Sequence, residues 1–136
     1  MADFKALVKN HFDQKGLKYR DSDRSFLTVG FSGKNTNEIS IIIDFDDDGD
    51  GKAAFICFSI GKFEQEQYAK GLVACNTCNS QYRWVKFCID DDNRIVVRSD
   101  AILDENNCGE ECLEIVMRMV GIIDESYPLF MKARWA

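Results

Sequence analysis

Imidazole is almost absent from this chain, with His11 the sole histidine in 136 residues. Triads and dyads that use histidine as proton carrier therefore have one candidate base at most. Proline is equally scarce. Pro128 stands alone, so a thioredoxin-like site would lack its cis-proline partner. Positive charge is in deficit, 17 Lys+Arg against 23 Asp+Glu for a net charge of -6, which argues against non-specific binding to nucleic acid or an anionic membrane. No apolar run approaches the ~20 residues needed to span a bilayer. The opening Met1-Ala2-Asp3-Phe4-Lys5 lacks the form of a signal peptide, so the expected setting is the cytoplasm. No GxSxG is present. Lys34 follows Gly33 without the rest of a phosphate loop.

What is present suits one core. Apolar residues make up 46% of the chain and aromatics 12%, enough to exclude wholesale disorder. The length, without internal repeat or linker, predicts a single domain over residues 1–136. The six cysteines lack the secreted, core-poor context of a disulfide framework and read as reduced thiols.

Phe4, Leu7, Val8 and Phe12 recur at helical spacing, and Gly16 stops the helix. His11 lies at the edge of that stripe and reads as a partly buried core residue rather than a ligand or base. Strands are predicted at 17–20, at 26–31 with Leu27, Val29 and Phe31 on one face, and at 39–45 as a central apolar run. A further strand at 53–60 should place Ile56, Phe58 and Ile60 together, opposite Phe55 and Cys57. A helix from Phe63 to about Thr77 carries Tyr68, Leu72 and Cys75. Two more strands, Tyr82 to Ile89 and the segment around Ile95, Val96 and Val97, flank the turn Asp91-Asp92-Asn93. Cys108, Cys112, Val116, Met119, Val120 and Ile123 form one stripe of a final helix, which Pro128 either kinks or restarts. The predicted fold class is α+β: a single antiparallel β-sheet with helices packed on one face, in the order α-β-β-β-α-β-β-α, or with four strands before the second helix when the short segment 17–20 is counted.

Two local patterns invite a metal. Asp44, Asp46, Asp48 and Gly49 match the opening of a calcium loop, but its twelfth position is Phe55 rather than a bidentate Glu and its flanks are strands. A solvated hairpin turn accounts for it. Cys75-Asn76-Thr77-Cys78 is a CxxC at the end of a helix, where the dipole opposes a thiolate. No second CxxC completes a zinc set, although Cys57 and Cys88 lie on strands that could contribute. No metal ligand or cofactor is assigned; Asp44, Asp46 and Asp48 (calcium) or Cys75 and Cys78 (zinc) stand as the alternative of a metal-responsive module. Cys108 and Cys112 continue an apolar stripe and read as core. Tyr82 and Trp84 beside Arg83 and Lys86 read as a strand face covered by a helix rather than a nucleic-acid platform. Asn76 and Asn79 read as helix-end residues that fix the corner into the next strand, using the left-handed geometry asparagine tolerates.

Taken together, Cys75-Asn76-Thr77-Cys78-Asn79, the strand Tyr82-Arg83-Trp84-Val85-Lys86-Phe87, the turn Asp90-Asp91-Asp92-Asn93 and the late segment Asp124-Glu125-Ser126-Tyr127-Pro128 resemble the YbjN-type family. These are bacterial proteins labelled sensory transduction regulators, with a fold similar to the type III secretion chaperones. The likeness is clearest over residues 63–135. The cysteines at 75 and 78 and the long Asp44–Asp50 turn depart from the family pattern. The resemblance implies an α+β chaperone-like fold, frequent homodimers, no catalytic residues and a binding or regulatory role. The resulting expectation is a non-catalytic cytoplasmic protein that binds other polypeptides, without a nucleic-acid or membrane partner.

Overall fold

The computed structural model describes residues 2–46 and 49–135. Helix α1 (Phe4–Lys15) starts where the Asp3 carboxylate accepts the Ala6 N–H at 3.1 Å. It ends where Gly16 adopts φ 71° and Leu17 N–H returns to the Phe12 carbonyl at 2.9 Å. Val8 and Phe12 are buried, while Leu7, expected on the same stripe, is 40% exposed.

Six strands follow: β1 (Arg20–Asp21), β2 (Phe26–Phe31), β3 (Ile39–Phe45), β4 (Lys52–Cys57), β5 (Lys86–Ile89) and β6 (Ile95–Ile102). They form one antiparallel sheet in the order β1-β2-β3-β4-β6-β5. The pairings Leu27↔Ile43, Val29↔Ile41 and Phe31↔Ile39, then Ile43↔Phe55 and Ile41↔Cys57, put the apolar side chains on one face. Because side chains alternate along a strand, a one-residue slip would expose the whole set, and this fixes the register.

Helices α1, α2 (Tyr68–Gln81) and α3 (Cys108–Trp135) cover that face. Val8 and Phe12 of α1, Ala74, Cys75 and Cys78 of α2, and Cys112, Val116, Met119, Ile123 and Phe130 of α3 share one buried cluster with the strands. Phe87 and Phe130 stack with centroids 5.5 Å apart. Gly109 allows α3 to approach α1, since a Cβ there would lie 2.3 Å from the His11 Cβ. The opposite face carries the cross-strand row Thr28, Ile42, Ile56, Arg98 and Lys86.

The predicted order of elements holds, with the short first segment present as a fourth strand before α2, and several boundaries move for local reasons. Strand β1 is Arg20–Asp21 rather than 17–20. Strand β4 stops at Cys57 rather than Ile60, because the Ser59 hydroxyl accepts the Ser40 N–H at 2.9 Å where a strand partner would otherwise stand. Ile60 still reaches the core, but through the turn and not by alternation with Ile56. Helix α2 begins at Tyr68, after a 3-10 turn at Gln65–Gln67, and extends to Gln81. Strand β5 begins at Lys86 rather than Tyr82, because Trp84 takes a left-handed φ of 79°.

Helix α3 does not restart at Pro128 but runs through it as one helix. Proline at 128 deprives the Asp124 carbonyl of its helical donor, and the Asn35 side-chain amide supplies one at 3.0 Å. The Asp124 carboxylate in turn accepts the backbone N–H groups of Lys34, Asn35 and Thr36 at 3.0, 2.8 and 3.2 Å. These bonds hold its acid group below the usual carboxylate range. The β2–β3 turn is thus latched to α3 at its proline.

Candidate binding surface

The candidate chemical groups do not converge. His11 is half-buried against Gly109 of α3, a packing position. Cys75 and Cys78 lie inside α2, both buried. Burial, with smaller contributions from Cys88 and Cys78, pushes the Cys75 thiol up to about 12, and burial pushes Cys78 up to about 11. Thiols so protonated are poor nucleophiles. Cys108 and Cys112 are buried on the α3 stripe with their acidities likewise suppressed by burial. Cys57 is buried at the end of β4 and Cys88 is exposed on β5. The Asp44 carboxylate accepts the Ser25 hydroxyl at 2.5 Å, Asp46 is exposed, and Asp48 lies outside the described residues. Among the described residues no three His, Cys, Asp or Glu side chains come together as a metal set.

The two asparagines part company. Asn79 bonds both backbone groups of Phe87: its Nδ2 donates to the Phe87 carbonyl at 2.9 Å and its Oδ1 accepts the Phe87 N–H at 2.7 Å. Strand β5 ends the sheet, so this side chain acts as a one-residue strand partner on an otherwise open edge. The left-handed cap expected there is not the device used, since Tyr82 closes α2 in an extended conformation. Asn76 is exposed.

Two surface features escaped the sequence reading. Between α2 and α3 runs an apolar groove of about 460 Å³ floored by Ala69, Val73, Ala74, Leu129 and Ala133, with Lys70 and Lys132 at its rim. Val73 is 67% exposed, and Leu72 and Leu129 also meet solvent. The helical spacing of Leu72 suggested a core position, which tertiary packing does not honour. The second feature corrects the expectation for Trp84. It is not covered by a helix but is 61% exposed, with the Arg83 and Arg118 guanidiniums 5.3 and 5.4 Å from its ring centroid.

This architecture, one antiparallel sheet with three helices on a single face, is that of the type III secretion chaperone-like α+β proteins. Residues 5–130 match the family YbjN, described as "Putative bacterial sensory transduction regulator". The chain belongs to that family. Among solved structures it is similar to YbjN from E. coli (TM-score 0.63, 15% identity, 90% of each chain covered). It is also similar to the Yersinia pestis type III secretion chaperone SycH in complex with a fragment of YscM2 (TM-score 0.55, 11% identity, 93% of this chain and 98% of that one). A third is the heterodimeric ExoU–SpcU complex of the Pseudomonas aeruginosa type III secretion system (TM-score 0.56, 15% identity, 92% and 95%). At these identities the likeness concerns the fold alone. Among curated proteins none matches the chain. No helix among the described residues is long and apolar enough to cross a membrane.

Proposed function

We propose that the chain is a non-catalytic protein-binding protein, chaperone-like or regulatory, working in the cytoplasm as a homodimer of single-domain subunits. The observation that carries the reading is the apolar groove between α2 and α3 in a molecule whose core is already filled. Exposed apolar surface of this kind is unfavourable in isolation and is stabilised when a partner covers it. Two further observations support it. The sole histidine is used in packing, and two of the structural neighbours were determined in complex with another polypeptide. Asn79 serves here as a structural residue of the α2–β5 corner.

The test is affinity capture from native lysate, with light scattering on the purified chain. The reading expects a polypeptide enriched in proportion to bait and a mass twice the chain's 15.5 kDa. Repeated failure to enrich any polypeptide counts against binding, and a mass of one chain at micromolar concentration counts against the homodimer.

A further inference from the structure

Trp84 breaks two rules at once. A bulky aromatic rarely takes a left-handed backbone, yet its φ is 79°. A large indole is also normally used for burial, yet it is 61% exposed. Strain of this kind persists only where surrounding structure imposes it, and it concentrates at functional sites. Here the segment between α2 and β5 turns the indole outward, where the Arg83 and Arg118 guanidiniums face its ring. Such cation–π contacts hold a side chain in one pose and reduce the entropy lost on docking.

The indole overlooks a cavity of about 410 Å³ whose wall holds Met117, Gly121 and Ile122 on its apolar side and Gln81, Arg118 and Glu125 on its polar side. A Cβ added at Gly121 would meet nothing within 4 Å, so this wall is open to an incoming side chain. Met117 is itself 48% exposed. The local charges are unequally used. Arg118 pairs with Glu114 at 2.7 Å, and Glu125 lies beside the Tyr82 hydroxyl. Arg83 forms no ion pair among the described residues, and its guanidinium rests on the Trp84 ring. The site therefore offers an aromatic anchor, a small well of mixed apolar and polar lining and one guanidinium lacking a carboxylate among the described residues, on a chain whose net charge is -6.

We infer that Trp84, with Arg83 and the well beside it, is a docking site for an acidic–apolar segment of a partner polypeptide. An apolar side chain of that segment fills the well against the indole, and a carboxylate pairs with Arg83. Aromatic and arginine anchors dominate the energetics of such contacts, and bidentate guanidinium–carboxylate geometry supplies the selectivity. The inference rests on the protein-binding reading above and adds to it a second surface, apart from the α2–α3 groove, with one partner chemistry.

The chain has two tryptophans, so a Trp135→Phe background isolates the emission of Trp84. The probes are a twelve-residue peptide alternating Glu and Leu, its Lys and Leu counterpart, and a twelve-residue oligothymidine. The acidic peptide should shift Trp84 emission to the blue and bind at least about tenfold more tightly than the basic one (about 1.4 kcal/mol). Arg83→Glu should weaken it by a similar factor. Trp84→Gly, scored by peptide anisotropy, should abolish binding while leaving the urea midpoint equal or higher, because glycine accepts the left-handed backbone that tryptophan resists.

The inference is overturned if neither peptide binds, if the basic peptide or the oligonucleotide binds as well as the acidic one, or if Arg83→Glu leaves the affinity intact. A lowered midpoint for Trp84→Gly also overturns it, since Trp84 is then a structural residue. Capture from lysate separates this failure from that of the wider reading. A partner retained equally by the native chain and Trp84→Gly removes this site and keeps the protein-binding function. No partner retained by either removes both.

Discussion

Replacing Asn79 with alanine tests how the α2–β5 corner is held. The substitution removes two hydrogen bonds, of 2.9 and 2.7 Å, to the carbonyl and N–H of Phe87. Phe87 is 2% exposed and stacks on Phe130 in the core, whereas Asn79 is itself exposed beside the edge strand, so water can take over part of the lost bonding. A typical intramolecular hydrogen bond contributes about 0.5–1.5 kcal/mol net, and leaving a buried group unsatisfied costs about 1–3 kcal/mol. The expected loss for Asn79→Ala is therefore about 1–2 kcal/mol, a sizeable fraction of the stability of about 5–15 kcal/mol usual for a domain. Urea denaturation followed by circular dichroism reads it as a lowered midpoint at unchanged slope. Asn76→Ala, at an exposed helical position one turn away, should stay within about 0.5 kcal/mol of the native chain.

Asn79→Asp sharpens the test. Its carboxylate keeps an acceptor for the Phe87 N–H but turns a second acceptor toward the Phe87 carbonyl. That arrangement favours the protonated acid and raises its folded-state pKa above the unfolded value. Its deficit relative to the native chain should be large at neutral pH and shrink as pH falls toward the unfolded-state carboxylate value, where both states are protonated. Equal midpoints for the Asn76 and Asn79 alanine variants would refute the reasoning. So would a deficit of the Asn79→Asp variant that does not respond to pH.

Four more outcomes follow from the packing. Gly109→Leu drives a side chain into His11, whose Cβ lies 2.3 Å from the first added carbon; it should lose about 1–3 kcal/mol, partly restored by His11→Ala in a double-mutant cycle. The Asp21 carboxylate is held well below the usual range by hydrogen bonds from Lys5 and Lys9, so it adds stability above the unfolded-state value that is lost as pH falls through the folded one; Asp21→Asn should flatten the acid limb of a thermal-melt profile, and high salt should mimic it. Native thiol titration at neutral pH should modify Cys88 promptly and the five buried cysteines only on unfolding. Asn35→Ala should destabilise the native chain but not a Pro128→Ala variant, whose restored N–H can serve the Asp124 carbonyl that Asn35 serves now; equal losses in both backgrounds, measured in urea, would contradict the latch.

The fold was legible where local pattern and tertiary packing agree. Alternation in Leu27–Phe31, the apolar run Ile39–Phe45 and the stripe from Cys108 to Ile123 mark the elements that build the core, and burial then follows the period of each element. Features that depend on distant residues were not legible. Asn35 and Asp124 are 89 residues apart, and nothing around either indicates that a turn amide meets the carbonyl deprived by Pro128. The corner at Asn79 was visible as a place but not as a device, since the Phe87 backbone it bonds is eight residues on. Trp84 was read as part of a strand because its neighbours alternate. Its left-handed backbone lies in the exit from α2, and one of the two arginines facing its ring is on α3, which no local period records. The α2–α3 groove escaped for the same reason: helical spacing predicts a stripe, but only packing decides which side chains of it are covered.

Capture of a partner from native lysate tests the central claim most directly. With the intact chain as bait and an unrelated acidic domain of similar size as control, a polypeptide should be retained in proportion to bait and lost when the chain is unfolded. Recovery of nothing beyond the control, at bait concentrations where the chain is folded, would contradict a binding protein.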